Sequence, residues 1–543
     1  MEKQTENYYR HIFFIFIGII ILFRIFGAKF LPVTRDEAYY FSWAAFPDLG
    51  YFDHPPLIAW LSVLVNAEKH SWFMGRLGCL ILSFLMIPIS ISLFKTVGIS
   101  GKKSLTSGII LMNFNFLGFM IGILATPDIP FIFSWLIALH EALKALLENE
   151  KRWITAGIFT GLGILGKYAM LFIGPIFLFA LLMKPEKLKS PWPYLGGIFC
   201  VIVITPHLMW NYNRDFISLK FQLGHGFQGS HKVNDSLFPL PFPYPTIAEK
   251  GSKEAVLAEY FKTEEEKEKP PEKPKSDIQK SFERVSGFVI SQILLWGFLI
   301  FPISFALIKW KKQKNHKKIQ IKKEAIPLIA ASFVFPLIVF GIVSFKSHIE
   351  ANWPAFYVIG ASVLIIGTLE LSPKAMYLAA IINLIFTSAV IAYSNNPIMF
   401  SNKPNKRIIS ETYGYDDLGR LLEGISSKPL FGDSYQIVSM LRFYAPDLKI
   451  SQWPGITRHS EFTRRGEFTV HDLSSLREAG SFSIILSNPV PPKFYEYEIK
   501  NLSEIRECLG MAPTMETAFS NHRYDPLCKK PLQKWYLAEY LAY

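Results

Sequence analysis

Charge is scarce in this chain, and so is cysteine. Asp, Glu, Lys and Arg make up only 19% of its 543 residues, while 50% are hydrophobic and 15% aromatic. Soluble domains of that total length would need far more charge to cover their surfaces, so lipid has to cover part of this one. Four cysteines are too few for a disulfide-built fold. Cys79 and Cys200 fall inside apolar runs and read as small packed hydrophobes. Cys508 and Cys528 stand in a polar stretch and can form a disulfide if that stretch lies outside the cytoplasm. A small-residue cleavage site is missing after the first apolar run, 12–31, which therefore reads as a retained membrane helix.

What is present in excess is basic charge, 57 Lys and Arg against 44 Asp and Glu, a net +13. These residues cluster in short loops between apolar runs, which orients a membrane protein and argues against nucleic acid as a partner. Runs near the ~20 residues that cross a bilayer lie at 12–31, 73–94, 106–124, 129–147, 193–210, 288–308, 325–344, 354–369 and 375–393. The stretch 154–183 has Lys167 near its middle and basic residues at both ends, and reads as a hairpin of two shorter helices with Lys167 near the outer tip. The total expected is about eleven crossings. Placing the Lys-rich loops, such as 309–323, in the cytoplasm sends 34–71, 125–128, 211–287, 345–353 and everything after about 394 to the other side. The expected architecture is mainly α: a polytopic helix bundle over 1–393, then a soluble extracytoplasmic α/β domain over 400–543. Within the bundle segment, 249–280 is rich in Lys, Glu and Pro and reads as an insertion unable to order itself.

The first outer loop, 34–71, is the richest in chemistry. Asp36 and Glu37 follow the first membrane helix, and Asp53-His54-Pro55-Pro56 begins 17 residues later. Carboxylates at a membrane boundary are costly to desolvate and tend to serve function when they face a cavity. Tyr39, Tyr40, Phe41, Trp43, Tyr51 and Phe52 surround them, a partly dry setting in which a carboxylate can be tuned as a general base. Asp128, at the short turn Thr126-Pro127-Asp128, reads equally as a helix cap or a site residue. His348 and Glu350 form a polar cluster that contacts substrate or solvates a helix end. Arg24, inside the first helix, is expected to be held in an intramembrane salt bridge.

The string Asp36-Glu37 with the tyrosine pair, and Tyr51-Phe52-Asp53-His54-Pro55-Pro56, resembles the lipid-donor glycosyltransferases of the GT-C class. The likeness is to bacterial relatives of the protein O-mannosyltransferases and of the aminoarabinose transferase that modifies lipid A. Gly166-Lys167-Tyr168, Trp210-Asn211, Asn352-Trp353-Pro354, Tyr435-Gln436 and Phe443-Tyr444 follow in matching order. The resemblance implies an inverting transferase in the bacterial cytoplasmic membrane with its active site facing the periplasm or exterior. It would move a sugar from a polyprenyl-phosphate donor to a hydroxyl of lipid A, another glycan or a protein. Asp36 is then the base, with Glu37 positioning it or binding a metal, and His54 and Lys167 meet the donor phosphate. His54 departs from the aminoarabinose transferase, where a Lys that contacts the phosphate precedes the proline pair. It leaves open a divalent metal held with Asp53; otherwise no cofactor is implied.

The segment Gly161-Leu-Gly-Ile-Leu-Gly166-Lys167 meets a dinucleotide-binding spacing, but no strand precedes it. With Gly157 it offers Gly-xxx-Gly spacing, and close helix packing explains the glycines. A transporter or flippase of lipid-linked sugars is the alternative function. It calls for repeated halves and midplane charges, neither of which the sequence offers.

Overall fold

The protein is described by a computed structural model over all residues except 1, 66–70, 228–244, 250, 262–274, 314–319, 400–404, 426–427, 467–472, 509–510, 519–527 and 529–530. Apolar length dictates its first two thirds. Helix α1 (Glu2–Phe30) crosses first, and Thr34 then caps the short α2 (Arg35–Ser42), which carries the acidic pair. Pro56 precedes α3 (Leu57–Leu64), and α4 (Trp72–Thr96) returns through the bundle. The helices α5 (Asp128–Leu147), α6 (Arg152–Gly166) and α7 (Trp192–Tyr212) pack side by side.

Among the described residues, six helices are long and apolar enough to span a membrane: Glu6–Phe30, Trp72–Thr96, Asp128–Leu147, Trp192–Tyr212, Lys323–Val343 and Pro373–Asn395. A seventh arises if the pair Asp277–Leu295 and Gly297–Lys312, bent by 89°, counts as one span. The bend sits at Gly297, whose φ of +54° is a conformation that glycine adopts without strain. Asn383 accepts from the amide of Phe298 at 2.8 Å and donates to the carbonyls of Trp296 and Phe114, satisfying the freed backbone. Other runs expected to cross form shorter helices, such as Lys102–Asn113 and Tyr357–Thr368.

The hairpin takes the expected form. α6 stops at Gly166, Lys167 is extended, and a short turn leads into the helix Ile173–Leu182. A Cβ on Gly157 would lie 1.9 Å from the carbonyl oxygen of Gly196, so α6 and α7 touch backbone to backbone. Arg24 differs from expectation. Its partners are the side-chain oxygen of Asn113 and the carbonyls of Ser83 and Gly118, with no carboxylate among them. Three neutral acceptors take its two terminal nitrogens without a second buried charge, while its Nε is left without an acceptor.

The C-terminal domain is built on β1 (Leu430–Gly432), α8 (Tyr435–Tyr444), β2 (Ile450–Gln452), β3 (Ser481–Leu486), β4 (Tyr497–Glu507), β5 (Thr514–Thr517) and β6 (Gln533–Ala542). Its sheet has the order β2-β1-β3-β6-β4-β5. The first three strands are parallel and the rest antiparallel. Trp453, Phe482 and Tyr540 stack under one face, beside Phe431 and Phe494. Cys508 and Cys528 are joined as a disulfide, with Cα atoms 5.8 Å apart. Much of the polar insertion falls at 262–274, outside the described residues. Its described part is more ordered than the composition implied. Lys253–Tyr260 forms a helix capped by Ser252, and Leu257 and Phe261 bury themselves in the C-terminal domain's core.

Candidate functional site

The site begins with an anchor. Thr34 and Glu37 form a capping box at the start of α2, which fixes where the helix leaves the bundle. Both oxygens of Glu37 are then taken up: Oε1 by Arg76 Nε at 2.7 Å and the amide of Ala125 at 2.8 Å, Oε2 by Arg76 Nη2 at 2.6 Å and by Thr34. Arg76 also donates to the carbonyls of Ala28, Leu31 and Pro32, and neither partner of the pair is exposed. Each oxygen of Glu37 is thus shared by at least two protein donors. Its hydrogen bonds fix the start of α2, one residue beyond Asp36.

One residue earlier the helix turns its other face to the C-terminal domain. Asp36 keeps accessible surface, yet protein atoms crowd around its carboxyl where α2 meets the C-terminal domain. Desolvation, reinforced by Glu411 and Asp53 and opposed by Arg458 and Arg35, raises its carboxyl to about 6. The hydroxyl of Tyr435 donates to Asp36 at 3.4 Å, and the ring of Tyr39 lies 4.5 Å from that of Tyr435. Asp53 is gripped by the hydroxyl of Tyr39 and by Arg458 Nη1 at 2.5 Å. Arg458 in turn lies over the ring of Tyr435, 4.2 Å from its centroid. Burial opposes its charge, but Tyr435, Asp53 and Tyr39 outweigh that and hold it firmly protonated.

A second clamp ties the loop to the domain. Glu461 accepts from the amide of Phe52 at 2.8 Å and from Arg464 and Arg465, and Arg465 also donates to the carbonyl of Phe46. Arg35 reaches Glu411 at 2.7 Å. Arg76, Arg458, Glu461 and Glu411 were not singled out in the sequence. A signal existed only for Arg76, a lone charge in an apolar run that must find a partner.

The remaining expected residues divide into two groups. Asp128 accepts from Lys167 Nζ at 2.8 Å and from Asn352 at 3.0 Å, joining three segments of the bundle. Asp36, Asp53 and Asp128 all act electrostatically on the hydroxyl of the largely buried Tyr40, and the His54 ring lies 5.9 Å from the Tyr40 ring. Tyr40 thus lies among Asp36, Asp53, His54 and Asp128, and Asp128 carries Lys167. His348 and Glu350 stay apart from this group. His348 is 74% exposed, and Glu350 pairs with His348 and Arg407, so the pair reads as a solvated segment. Among the described residues no three His, Cys, Asp or Glu side chains converge as metal ligands would. Asp53 is already shared by Tyr39 and Arg458, and no step is assigned to a metal.

Comparison with known proteins bears on this arrangement. The sequence pattern of the family described as dolichyl-phosphate-mannose-protein mannosyltransferase matches residues 53–210. ArnT from Cupriavidus metallidurans bound to undecaprenyl phosphate superposes with a TM-score of 0.54 at 11% identity, over 96% of this chain and 97% of that one. The chain shares the overall fold of that ArnT. The apo form of the same ArnT gives a TM-score of 0.54 at 12% identity, over 87% of this chain and 92% of the other. The lipid A galacturonosyltransferase RgtD of Rhizobium johnstonii is 27% identical over 198 residues, 33% of this chain. That match spans 38% of the length of the galacturonosyltransferase. The GT-C resemblance read from the first loop is borne out, and the multi-pass membrane assignment with it.

Proposed function

We propose that this protein is an inverting glycosyltransferase that moves a sugar from a polyprenyl-phosphate donor to a hydroxyl of an envelope acceptor, at a site on the outer face of the membrane. The observation that carries the reading is Asp36. It is a carboxylate raised to about 6, one residue into the short helix that follows the first membrane helix, and it meets Tyr435 of the C-terminal domain. Such a group is mostly ionised at neutral pH yet basic enough to accept a hydroxyl proton.

In this reading the acceptor hydroxyl loses its proton to Asp36 as its oxygen bonds to the anomeric carbon. The bond from that carbon to the phosphate oxygen breaks, and the polyprenyl phosphate leaves with the electron pair from the opposite face. Lys167, held by Asp128, is the cation suited to the departing phosphate on the bundle side, and His54 is the second candidate for it. Glu37 and Arg76 hold Asp36 in place. The family match, the undecaprenyl-phosphate-bound ArnT and the lipid A transferase support a lipid-linked donor and a lipid or glycan acceptor.

The test uses purified protein in proteoliposomes with radiolabelled polyprenyl-phosphate sugars and an envelope lipid extract. Label moving from the polyprenyl lipid to a new glycoside is the expected result. Label crossing the bilayer with its bond intact would instead make the protein a flippase.

A further inference from the structure

The C-terminal sheet offers a crevice of its own. β2 and β3 flank β1 on opposite sides, so the chain diverges beyond the carboxyl end of β1, where open α/β sheets bind ligands. A cavity of about 330 Å³ opens there. Its walls include Ser434 and Gln436 after β1, Arg458 after β2, Ser487 after β3 and Lys534 in β6, and Arg35 of α2 closes it from the loop side. Three of its lining residues are cationic, and among the described residues none is acidic. The carboxylates that accompany them, Glu411 on Arg35, Asp53 on Arg458 and Glu504 on Lys534, lie outside the lining. The ten-residue α8 begins at the same wall, capped by Ser434, and turns the positive end of its dipole toward the cavity.

We propose that this cavity seats an anionic substituent, phosphate or carboxylate, of the acceptor whose hydroxyl is glycosylated. The inference rests on the transferase reading and adds the chemical class of its acceptor. Tyr435 links the two sites, since it lines the cavity while its hydroxyl reaches Asp36. An acceptor anchored here by its charge would lie beside the base. The donor's lipid tail must stay with the helix bundle, so the domain-side cavity falls to the other substrate.

Full-length protein in lipid nanodiscs, with no lipid-linked donor, is titrated with galactose, galactose 6-phosphate and galacturonic acid by saturation-transfer NMR. An anionic probe is expected to bind about tenfold or more tighter than galactose. Preference between the two anionic probes tells a phosphorylated acceptor from an acidic sugar. Lys534→Gln should weaken that binding about tenfold, and Lys534→Arg should keep it. Equal binding of all three probes, or binding unchanged in Lys534→Gln, overturns the proposal. Transfer assays on the same preparation separate the two readings. Transfer without anion preference overturns this inference alone, whereas anion binding without transfer upholds the cavity and removes the transferase.

Discussion

Replacing Glu37 by Gln separates positioning from chemistry at this site. Glu37 and Arg76 are fully buried and joined by two short charge-assisted hydrogen bonds. Removing one charge of such a pair leaves the other buried, a cost of about 3–5 kcal/mol. Arg76 keeps three backbone carbonyls, those of Ala28, Leu31 and Pro32, so the lower end, roughly 3 kcal/mol, is expected. Gln also turns an N–H group toward a donor, either Arg76 or the amide of Ala125. The outcome should be a clear loss of thermal stability in detergent, together with reduced transfer because α2 no longer holds Asp36 in register. Glu37→Leu combined with Arg76→Met should restore stability in part, since no lone charge then remains. The refuting result is a Glu37→Gln protein as stable as wild type that has lost transfer entirely. Glu37 would then act on the reacting groups directly.

Three further outcomes follow from the geometry. Because the Asp36 carboxyl sits near 6 and must be ionised to accept a proton, kcat/KM should fall as pH drops through about 6 and level off above it; a rate flat from pH 5 to 8 would contradict this. Gly157→Val should force α6 and α7 apart against the backbone of Gly196, costing about 1–3 kcal/mol, read as a lowered melting temperature with the site residues untouched. A cysteine at Tyr495, 84% exposed in the C-terminal domain, should react with an impermeant thiol reagent in intact cells, and one at Lys312 should not; the reverse pattern would put the site in the cytoplasm.

The sequence revealed the loop and hid its partners. Asp36, Asp53 and the surrounding aromatics lie within one short stretch, so their composition alone marked a dry acidic site. Arg458 is 405 residues from Asp53, and nothing in local spacing signals that a loop of a distant domain will return to cap a membrane helix. Lys167 was placed correctly at the hairpin tip, because charge inside an apolar run must reach an edge. Its partner Asp128 could equally have been a helix cap, and only three-dimensional packing joined the two. The crossing count was less legible. Hydropathy registers apolar length but not the break at Gly297, nor that a run such as 354–369 folds into the 12-residue helix Tyr357–Thr368. The insertion at 249–280 was read by average composition, which concealed that Leu257 and Phe261 suffice to dock one short helix.

The most direct measurement is single-turnover sugar transfer by Asp36→Asn beside wild type, in the same proteoliposomes with the same labelled polyprenyl-phosphate donor. Asn matches Asp in size but cannot accept the hydroxyl proton, and losing a general base costs about 10²–10⁴-fold in rate. Because the Asp36 carboxyl is raised by burial, the neutral Asn should leave the protein at least as stable as wild type near neutral pH. A rate lower by that factor in a protein of undiminished melting temperature is the expected result. An Asp36→Asn protein that transfers sugar at more than about half the wild-type rate would remove Asp36 from the chemistry.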